Sequence, residues 1–388
     1  MRHLENENRT LESMLKDIQA QNSMKQDYIA PTKELQFRTV ESDDPVHGTN
    51  HSQIVMEADH GEPTKILNVN QHCFDQIAQK AEIATPTARR LQQNYPKEMD
   101  NLINAIWQKE NSKRMIRTFD KTSVTNPRFT LDRHNGTARA FLSDKFKTFD
   151  NSDLLESALP TLGESDACWK IVNFANTDKK LYIRLKSEVI QSDAGVGDLM
   201  AHGIGISNSE TGSGSVAVFG INWTLACLNG MQTENVTRKA HITSARDGDT
   251  WNVLTDETKR ADNHSLKLQL RDIVSSYASR DAFDENIEKM KRAKEDVVDV
   301  PMNESVENLG KVLTLSKKET SNVLEGLLQT IGQSGYEQSQ KINRATLVNA
   351  CTAVGNTSDP DNVDFWQRLG GKVLNLGKTD WNRVAMAS

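Results

Sequence analysis

The chain has 388 residues, of which 36% are hydrophobic and 26% charged, and its formal net charge at pH 7 is −6. A chain of this length can bury a sizeable core and has room for two or three domains. No apolar run approaches the roughly 20 residues of a membrane-spanning helix, and the first 15 residues lack the apolar centre of a signal peptide. We therefore expect a cytoplasmic protein without a membrane partner.

The N-terminal part of the chain is predicted to be helical. Apolar residues at helical spacing indicate an amphipathic helix within residues 1–30, ended by Pro31. Residues 38–64 are rich in turn formers and acids, which predicts a loose loop. Three further helices are predicted between residues 70 and 107, where apolar residues recur at i, i+3 and i+4.

From Arg114 the pattern changes to nearly alternating apolar and polar residues separated by turn signals, which is typical of antiparallel strands. The segments MIRTF, RFTLD, ARAFLSD and KFKTF are predicted to form a meander. In ARAFLSD the alternation places Arg139 and Phe141 on one face. Further strands are predicted within residues 168–189 and 198–230, and helices after residue 256.

This order of elements predicts an α+β fold. Its centre is an antiparallel strand-rich domain with a β-meander and a crossing helix, flanked by N-terminal helices and a helical C-terminal third. The expected regions are an N-terminal arm at 1–37, an acidic loop at 38–64, a central α+β domain at 65–255 and a helical region at 256–388.

Residues 109–147 reverse the sign of the chain's charge. They contain ten Lys or Arg and four acids, so they carry 10 − 4 = +6. Five phenylalanines lie in or beside this stretch, a mixture typical of single-stranded nucleic-acid binding, because cations neutralise phosphates and rings stack on bases. The alternative is a solvated sheet face with the phenylalanines in the core, and the core is favoured for the rings. The candidate DNA-binding residues are Lys113, Arg114, Arg117, Arg128, Arg133, Arg139, Lys145, Lys147, Arg184 and Lys186.

A glycine-rich segment, SNSETGSGS, lies between two predicted strands. It lacks the G-x-x-x-x-G-K-[ST] pattern of a phosphate-binding loop, so we expect no nucleotide site there. Its polar triplet Asn208, Ser209 and Glu210 has three interpretations: it bonds within the loop, meets a neighbouring subunit, or meets nucleic acid.

Catalytic patterns are weak. His202 and His241 have no cysteine or serine in a nucleophile motif, so a structural role is favoured for both. The four cysteines are far apart, which favours reduced thiols over a zinc site. We expect no catalytic residue, metal or cofactor. Convergence of Asp144, Asp150, Asp153 or Glu210 on a metal keeps a metal-dependent nuclease as the alternative.

Several long motifs run through the chain. They are D-Y-I-A-P-T at 27–32, R-T-F-D at 117–120, R-A-F-L-S-D-K-F-K-T-F-D-N-S-D-L at 139–154, the segment 197–215 that includes S-N-S-E-T-G-S-G-S, C-L-N-G-M at 227–231, R-x-x-H at 238–241, and L-G-G-K-V-L at 369–374 followed by Trp381. In these motifs the chain resembles a phage- and plasmid-borne family known only as a domain of unknown function.

At the level of fold, the order of a helix, a basic meander and a crossing helix is similar to phage single-strand annealing proteins of the Red beta, RecT and Erf kind. That resemblance implies a ring or helical filament that binds single-stranded DNA and anneals complementary strands without ATP in phage or mobile-element recombination. It also implies a bacterial host cytoplasm, and an exonuclease or a single-strand binding protein as a partner. A non-enzymatic scaffold or host-defence-blocking protein is the third interpretation.

Overall fold

The computed structural model describes residues 11–42, 49–57, 64–110, 112–119, 136–194, 199–225, 229–239, 254–333 and 341–386. In these ranges the chain has an α+β architecture: a mixed six-stranded sheet with helices, a five-stranded antiparallel meander, and a helical C-terminal region. Among the described residues, no helix combines the length and apolar character needed to cross a membrane.

The first sheet has the strand order β1-β5-β6-β4-β3-β2, in which only β4 and β6 run parallel. Its strands are β1 (Lys25–Pro31), β2 (Leu35–Val40), β3 (His51–Met56), β4 (Lys65–Val69), β5 (Lys113–Phe119) and β6 (Gly136–Ser143). Three helices follow β4: α2 (Gln71–Lys80), α3 (Thr85–Asn94) and α4 (Pro96–Lys109). They cover one face of the sheet and bury an aromatic core in which Trp107 stacks on Phe141 at 5.3 Å.

The three helices predicted here are confirmed, and their starts have local causes. The Asn70 side chain caps α2 by accepting a hydrogen bond from the backbone N–H of Cys73 at 2.8 Å. Pro86 and Pro96 occupy the first turns of α3 and α4, where a missing N–H costs nothing.

Two N-terminal predictions are wrong in part. The helix α1 (Leu11–Met24) ends before Pro31, and the first five residues of the DYIAPT motif belong to β1, which pairs antiparallel with β5. The predicted acidic loop at 38–64 contains all of β3, which pairs with β2 and β4. A strand of six residues held by two neighbours depends on those neighbours more than on its own propensity, so its local signal is weak.

The second sheet is a meander in the order β11-β10-β9-β8-β7, with every pairing antiparallel. Its strands are β7 (Trp169–Asn176), β8 (Leu181–Asp193), β9 (Leu199–Asn208), β10 (Val216–Thr224) and β11 (Asn229–Lys239). The helix α5 (Asn151–Glu164) connects the two sheets and begins with the expected cap, a capping box between Asp150 and Asp153.

The C-terminal region is helical, as expected. Its helices are α6 (Asp256–Tyr277), α7 (Asp281–Glu295), α8 (Met302–Val312), α9 (Lys317–Gln333), α10 (Arg344–Thr357), α11 (Pro360–Leu374) and α12 (Lys378–Ala385). The helix α11 packs so closely on β11 that a Cβ at Gly371 would lie 2.2 Å from the carbonyl oxygen of Gln232. The LGGKVL motif therefore provides a close helix–sheet contact.

Two strand predictions in the basic stretch need correction. Residues 144–145 form a turn, Phe146 is a single bridge residue, and residues 147–149 have no regular structure, so KFKTF is not a strand. In β6, Ala138 and Ala140 face Thr118 and Arg117 of β5, which leaves Arg139 as an extra residue without a cross-strand partner. Such a bulge interrupts the alternation. Phe141 packs in the aromatic core, while Arg139 pairs with Glu210. The prediction that Arg139 and Phe141 share one face of the strand is therefore wrong.

Candidate nucleic-acid interface

Three of the predicted arginines are buried in ion pairs. Arg117, Arg139 and Arg184 are 2%, 6% and 2% exposed. A buried charge is tolerated when it is paired and hydrogen-bonded, and each of these guanidinium groups meets a carboxylate. Their positive charge is therefore neutralised inside the chain.

Arg117 lies between two carboxylates. Its Nε donates to Asp27 Oδ1 at 2.9 Å, its Nη2 to Asp150 Oδ1 at 2.8 Å, and its Nη1 to the carbonyl oxygen of Glu210 at 2.9 Å. Burial alone would lower the pKa of Arg117, but Asp150 and Asp27 raise it. The DYIAPT and RTFD motifs meet in this contact.

The carboxylate of Glu210 pairs with two further cations, a lysine and an arginine. Its side chain is 2% exposed and pairs with Lys25 and Arg139, and its Oε1 accepts the backbone N–H of Asn151 at 2.7 Å. Burial would raise the pKa of Glu210, but Arg139, Lys25, Arg117 and that N–H lower it to about 2. We call the set of three cations and three carboxylates the Glu210 cluster: Lys25, Asp27, Arg117, Arg139, Asp150 and Glu210.

The other residues of the polar triplet also bond within the chain. Asn208 Nδ2 donates to the carbonyl oxygen of Phe149 and to Asn151 Oδ1, both at 2.9 Å. Ser209 Oγ donates to the carbonyl oxygen of Lys179 at 2.7 Å. These contacts attach the β9–β10 loop to the start of α5 and to the β7–β8 turn.

The helix α2 fastens the same loop from the first sheet. His72 Nε2 lies 3.2 Å from the Thr211 carbonyl oxygen, which also accepts from Gln76 Nε2 at 2.6 Å. Gln76 Oε1 accepts the backbone N–H of Phe141 at 2.8 Å. The glycine-rich segment thus joins the two sheets, and burial lowers the pKa of His72.

Arg184 serves a different contact. From β8 its Nη2 donates to Asp364 Oδ1 at 2.7 Å and its Nε to Gln367 Oε1 at 3.0 Å, both on α11. It fixes the C-terminal helices to the second sheet. The nearby Lys186 is half-buried and faces Lys170 across the β7–β8 ladder.

A cleft of about 380 Å³ opens beside β6 and the glycine-rich loop. We call it the β6 cleft; it is lined by Gln76, Gln79, Lys80, Phe141, Leu142, Ser143, Phe146, Gly212, Gly214 and Ser215. Its floor is apolar, and Lys80 is its cation. Burial and the nearby Arg114 lower the pKa of Lys80.

Three other predicted cations lie on β5 or in the turn after β6. Arg114 faces Ser143 across the β5–β6 ladder, pairs with Glu110, and lies 5.9 Å from the centre of the Phe141 ring. Lys113 is exposed, and Lys145 is half-buried in the turn after β6.

Three further candidates complete the set. Lys147 pairs with Asp262 of α6. Arg128 and Arg133 lie outside the described residues, as does Phe129. The other phenylalanines of the stretch, Phe119, Phe141, Phe146 and Phe149, are all buried, which confirms their place in the core.

Among the described residues, no group of three His, Cys, Asp or Glu side chains could hold a metal ion. The carboxylates of the Glu210 cluster each face a cation instead. His202 Nε2 lies 2.8 Å from the carbonyl oxygen of Tyr277, while His241 is outside the described residues.

Sequence reasoning missed Lys25, Lys80 and Gln76. Lys25 precedes the DYIAPT motif, and that adjacency could have suggested it as a partner for a motif carboxylate. Gln76 follows His72 by four residues, so both lie on one face of α2. No local signal distinguishes Lys80 from other lysines.

No family model matches the sequence, and neither the curated proteins nor the solved structures contain a chain similar enough to assign it to a family.

Proposed function

We propose that this protein binds single-stranded DNA at the β6 cleft and anneals complementary strands without ATP. The observation that carries the proposal is the composition of the cleft: Phe141, Leu142 and Phe146 line it from the core and are at most 6% exposed, and the exposed Lys80 lies beside them. Single-strand binding sites combine such apolar surfaces for bases with cations that follow the backbone.

The cations around the cleft supply the phosphate contacts. Lys80 and Lys113 are exposed, and Lys145 lies in the turn that follows β6. Because every phosphate contact releases a counterion, binding by these lysines is expected to weaken steeply with salt. Of the buried arginines, Arg117 and Arg139 join the first sheet to the β9–β10 loop through Glu210.

Annealing and assembly follow from the remote resemblance to phage annealing proteins. The antiparallel β5–β6 pair followed by α5 is compatible with their order of elements. We propose a ring or helical filament of identical subunits, with the C-terminal helices serving assembly or the recruitment of an exonuclease or a single-strand binding protein. A partner of this kind is expected in a phage or mobile-element recombination system.

Fluorescence anisotropy with a labelled single strand tests the site. The variant Lys80→Gln/Lys113→Gln/Lys145→Gln is expected to weaken binding at least tenfold, since three phosphate contacts are removed. Its matched control is Lys311→Gln/Lys317→Gln/Lys318→Gln, three exposed lysines on or beside α8 and α9, which should bind like the wild type. Equal loss in both variants, or in neither, would contradict the β6 cleft as the site.

Mixing complementary labelled strands without nucleotide tests annealing. The protein should accelerate duplex formation, and in magnesium the strands should stay intact. Shortened strands in magnesium would instead support the nuclease alternative. Absence of any DNA binding would leave the scaffold interpretation.

A further inference from the structure

A second cavity, of about 70 Å³, lies between the second sheet and α7. We call it the Asn222 pocket; it is lined by His202, Gly220, Asn222, Thr233, Tyr277, Phe283, Glu285, Asn286, Lys289 and Asn375. One water needs only roughly 10–15 Å³ by a similar measure. The pocket therefore has room for the edge of a planar group, with the rest of the ligand at its mouth.

Asn222 makes the pocket unusual. The residue is 1% exposed, yet both its Nδ2 and its Oδ1 have no hydrogen-bond partner among the described residues. Leaving a buried polar group unsatisfied costs roughly 1–3 kcal/mol. A donor and an acceptor held together in a cavity are complementary to a ligand edge with an acceptor beside a donor.

His202 adds a second acceptor. It faces Asn222 directly across the β9–β10 ladder, where paired side chains have Cβ atoms roughly 4.5–5.5 Å apart. Its Nε2 donates to the Tyr277 carbonyl oxygen at 2.8 Å, while its Nδ1 is buried without a partner among the described residues. Burial lowers the pKa of His202 and favours the neutral ring, in which Nδ1 accepts.

The ring of His202 is held in place. It lies 5.5 Å from the ring of Trp169 and 5.4 Å from that of Phe283. Glu285 and Lys289, an ion pair at 2.9 Å on α7, also line the pocket. A polar ligand body can therefore remain near charged groups while its edge enters.

We propose that the Asn222 pocket binds the Watson–Crick edge of guanine. Two residues that line the pocket have one donor, Asn222 Nδ2, and two acceptors, Asn222 Oδ1 and His202 Nδ1, without partners among the described residues. Guanine supplies the complement: O6 accepts, and N1–H and the N2 amino group donate. Adenine offers one donor and one acceptor on this edge, and cytosine and thymine one donor and two acceptors. The proposal is independent of DNA binding at the β6 cleft.

Calorimetry with the full chain tests this proposal using guanosine and inosine, which differ only in the N2 amino group. Guanosine should bind saturably and inosine roughly tenfold more weakly, the effect of one buried hydrogen bond. The variant Asn222→Leu should abolish guanosine binding with an unchanged or higher melting temperature, because it removes two unsatisfied polar atoms. The variant His202→Phe should bind guanosine and inosine equally.

The control is Asn362→Leu, at an exposed position of α11, which should bind guanosine like the wild type. Failure of the wild type to bind guanosine, or equal binding of inosine, overturns the proposal. If a guanine-containing single strand displaces guanosine and the same strand with inosine does not, the ligand is a nucleic acid. If neither strand displaces guanosine, the ligand is a free nucleoside. Because guanosine carries no phosphate, the Lys80→Gln/Lys113→Gln/Lys145→Gln variant should bind it normally, which separates this test from the test of DNA binding.

Discussion

Glu210 neutralises two buried cations at the boundary between the two sheets. Lys25 and Arg139 both contact its carboxylate, and the side chains of all three are at most 8% exposed. Removing one partner of such a group leaves the others charged without compensation, which is far costlier than losing an exposed ion pair. The same residues that suggest a DNA surface from sequence therefore form part of the protein's framework.

The substitution Glu210→Gln is expected to destabilise the protein by about 3–5 kcal/mol, because Arg139 and Lys25 lose their carboxylate in a buried site. Chemical denaturation at pH 7 measures the loss. The control Glu164→Gln, at an exposed glutamate at the end of α5, should remain within about 0.5 kcal/mol of the wild type. A Glu210→Gln variant as stable as this control would show that the cluster contributes little.

The pH dependence of this difference follows from the pKa of Glu210, which folding lowers from 4.5 to about 2. A carboxylate whose pKa is depressed in the folded state stabilises that state fully at pH values above its pKa in the unfolded state. This contribution is lost as the pH falls through the pKa of the folded state. The stability gap between wild type and Glu210→Gln should be constant from pH 8 to 5 and shrink between about pH 4.5 and 2. Unfolding curves at several pH values measure it; a gap that widens in acid would contradict the assignment.

At the scale of elements, the close packing of the glycine-rich loop against β6 accounts for a glycine at position 212. Gly212 has a φ of +78°, and a Cβ there would lie 2.6 Å from Leu142 Cδ2 in the β6 cleft. A side chain would be strained by the backbone and by contact together. The glycine thus serves the approach of the loop to β6.

Gly212→Ala should destabilise the protein by about 1–3 kcal/mol, since it strains the backbone and crowds Leu142. Gly163→Ala is the control, because nothing lies within 4 Å of a Cβ at this helical position. Alanine there should be neutral or stabilise by up to about 1 kcal/mol. Thermal melts of both variants give the comparison, and a Gly212→Ala melt above that of Gly163→Ala would exclude the strain.

Helices whose apolar residues recur at a regular spacing could be predicted from the sequence. Strands that are stabilised by pairing with distant strands could not. Asn70 and Asp150 mark helix starts through side-chain caps, which act over three residues. β1 and β3 lack such signals, because their stability comes from pairing with strands distant in the chain. The bulge at Arg139 depends on the opposite strand and has no marker of its own.

The candidate site shows the same division. Charge counting located the basic stretch, but the sign of a residue does not reveal whether a carboxylate from elsewhere neutralises it. Arg117 meets Asp27 across 90 positions of the chain, and Arg184 meets Asp364 across 180. Lys113 is exposed and Lys145 lies in the turn after β6, and both remain predicted DNA contacts.

At the scale of the whole molecule, the ion pairs and the glycine-rich loop fix the relative position of the two sheets. The β6 cleft lies at this junction, lined by α2, β6 and the loop. A bound strand would therefore contact elements of both sheets, and a rigid junction would keep the apolar floor and the cationic rim in register. The helices α7–α12 share a separate core with a few residues of the second sheet, whereas α6 packs into the core of α1 and α5. None of the described residues of these seven helices lines the cleft.

The salt dependence of single-strand binding tests the central claim most directly. The logarithm of the binding constant should fall linearly with the logarithm of salt concentration, and Lys80→Gln/Lys113→Gln/Lys145→Gln should flatten that slope by about 2, the value for three phosphate contacts to a single strand. The Lys311→Gln/Lys317→Gln/Lys318→Gln control should retain the wild-type slope. Binding that is insensitive to salt, or an equal slope in all three proteins, would contradict a cationic β6 cleft that holds DNA.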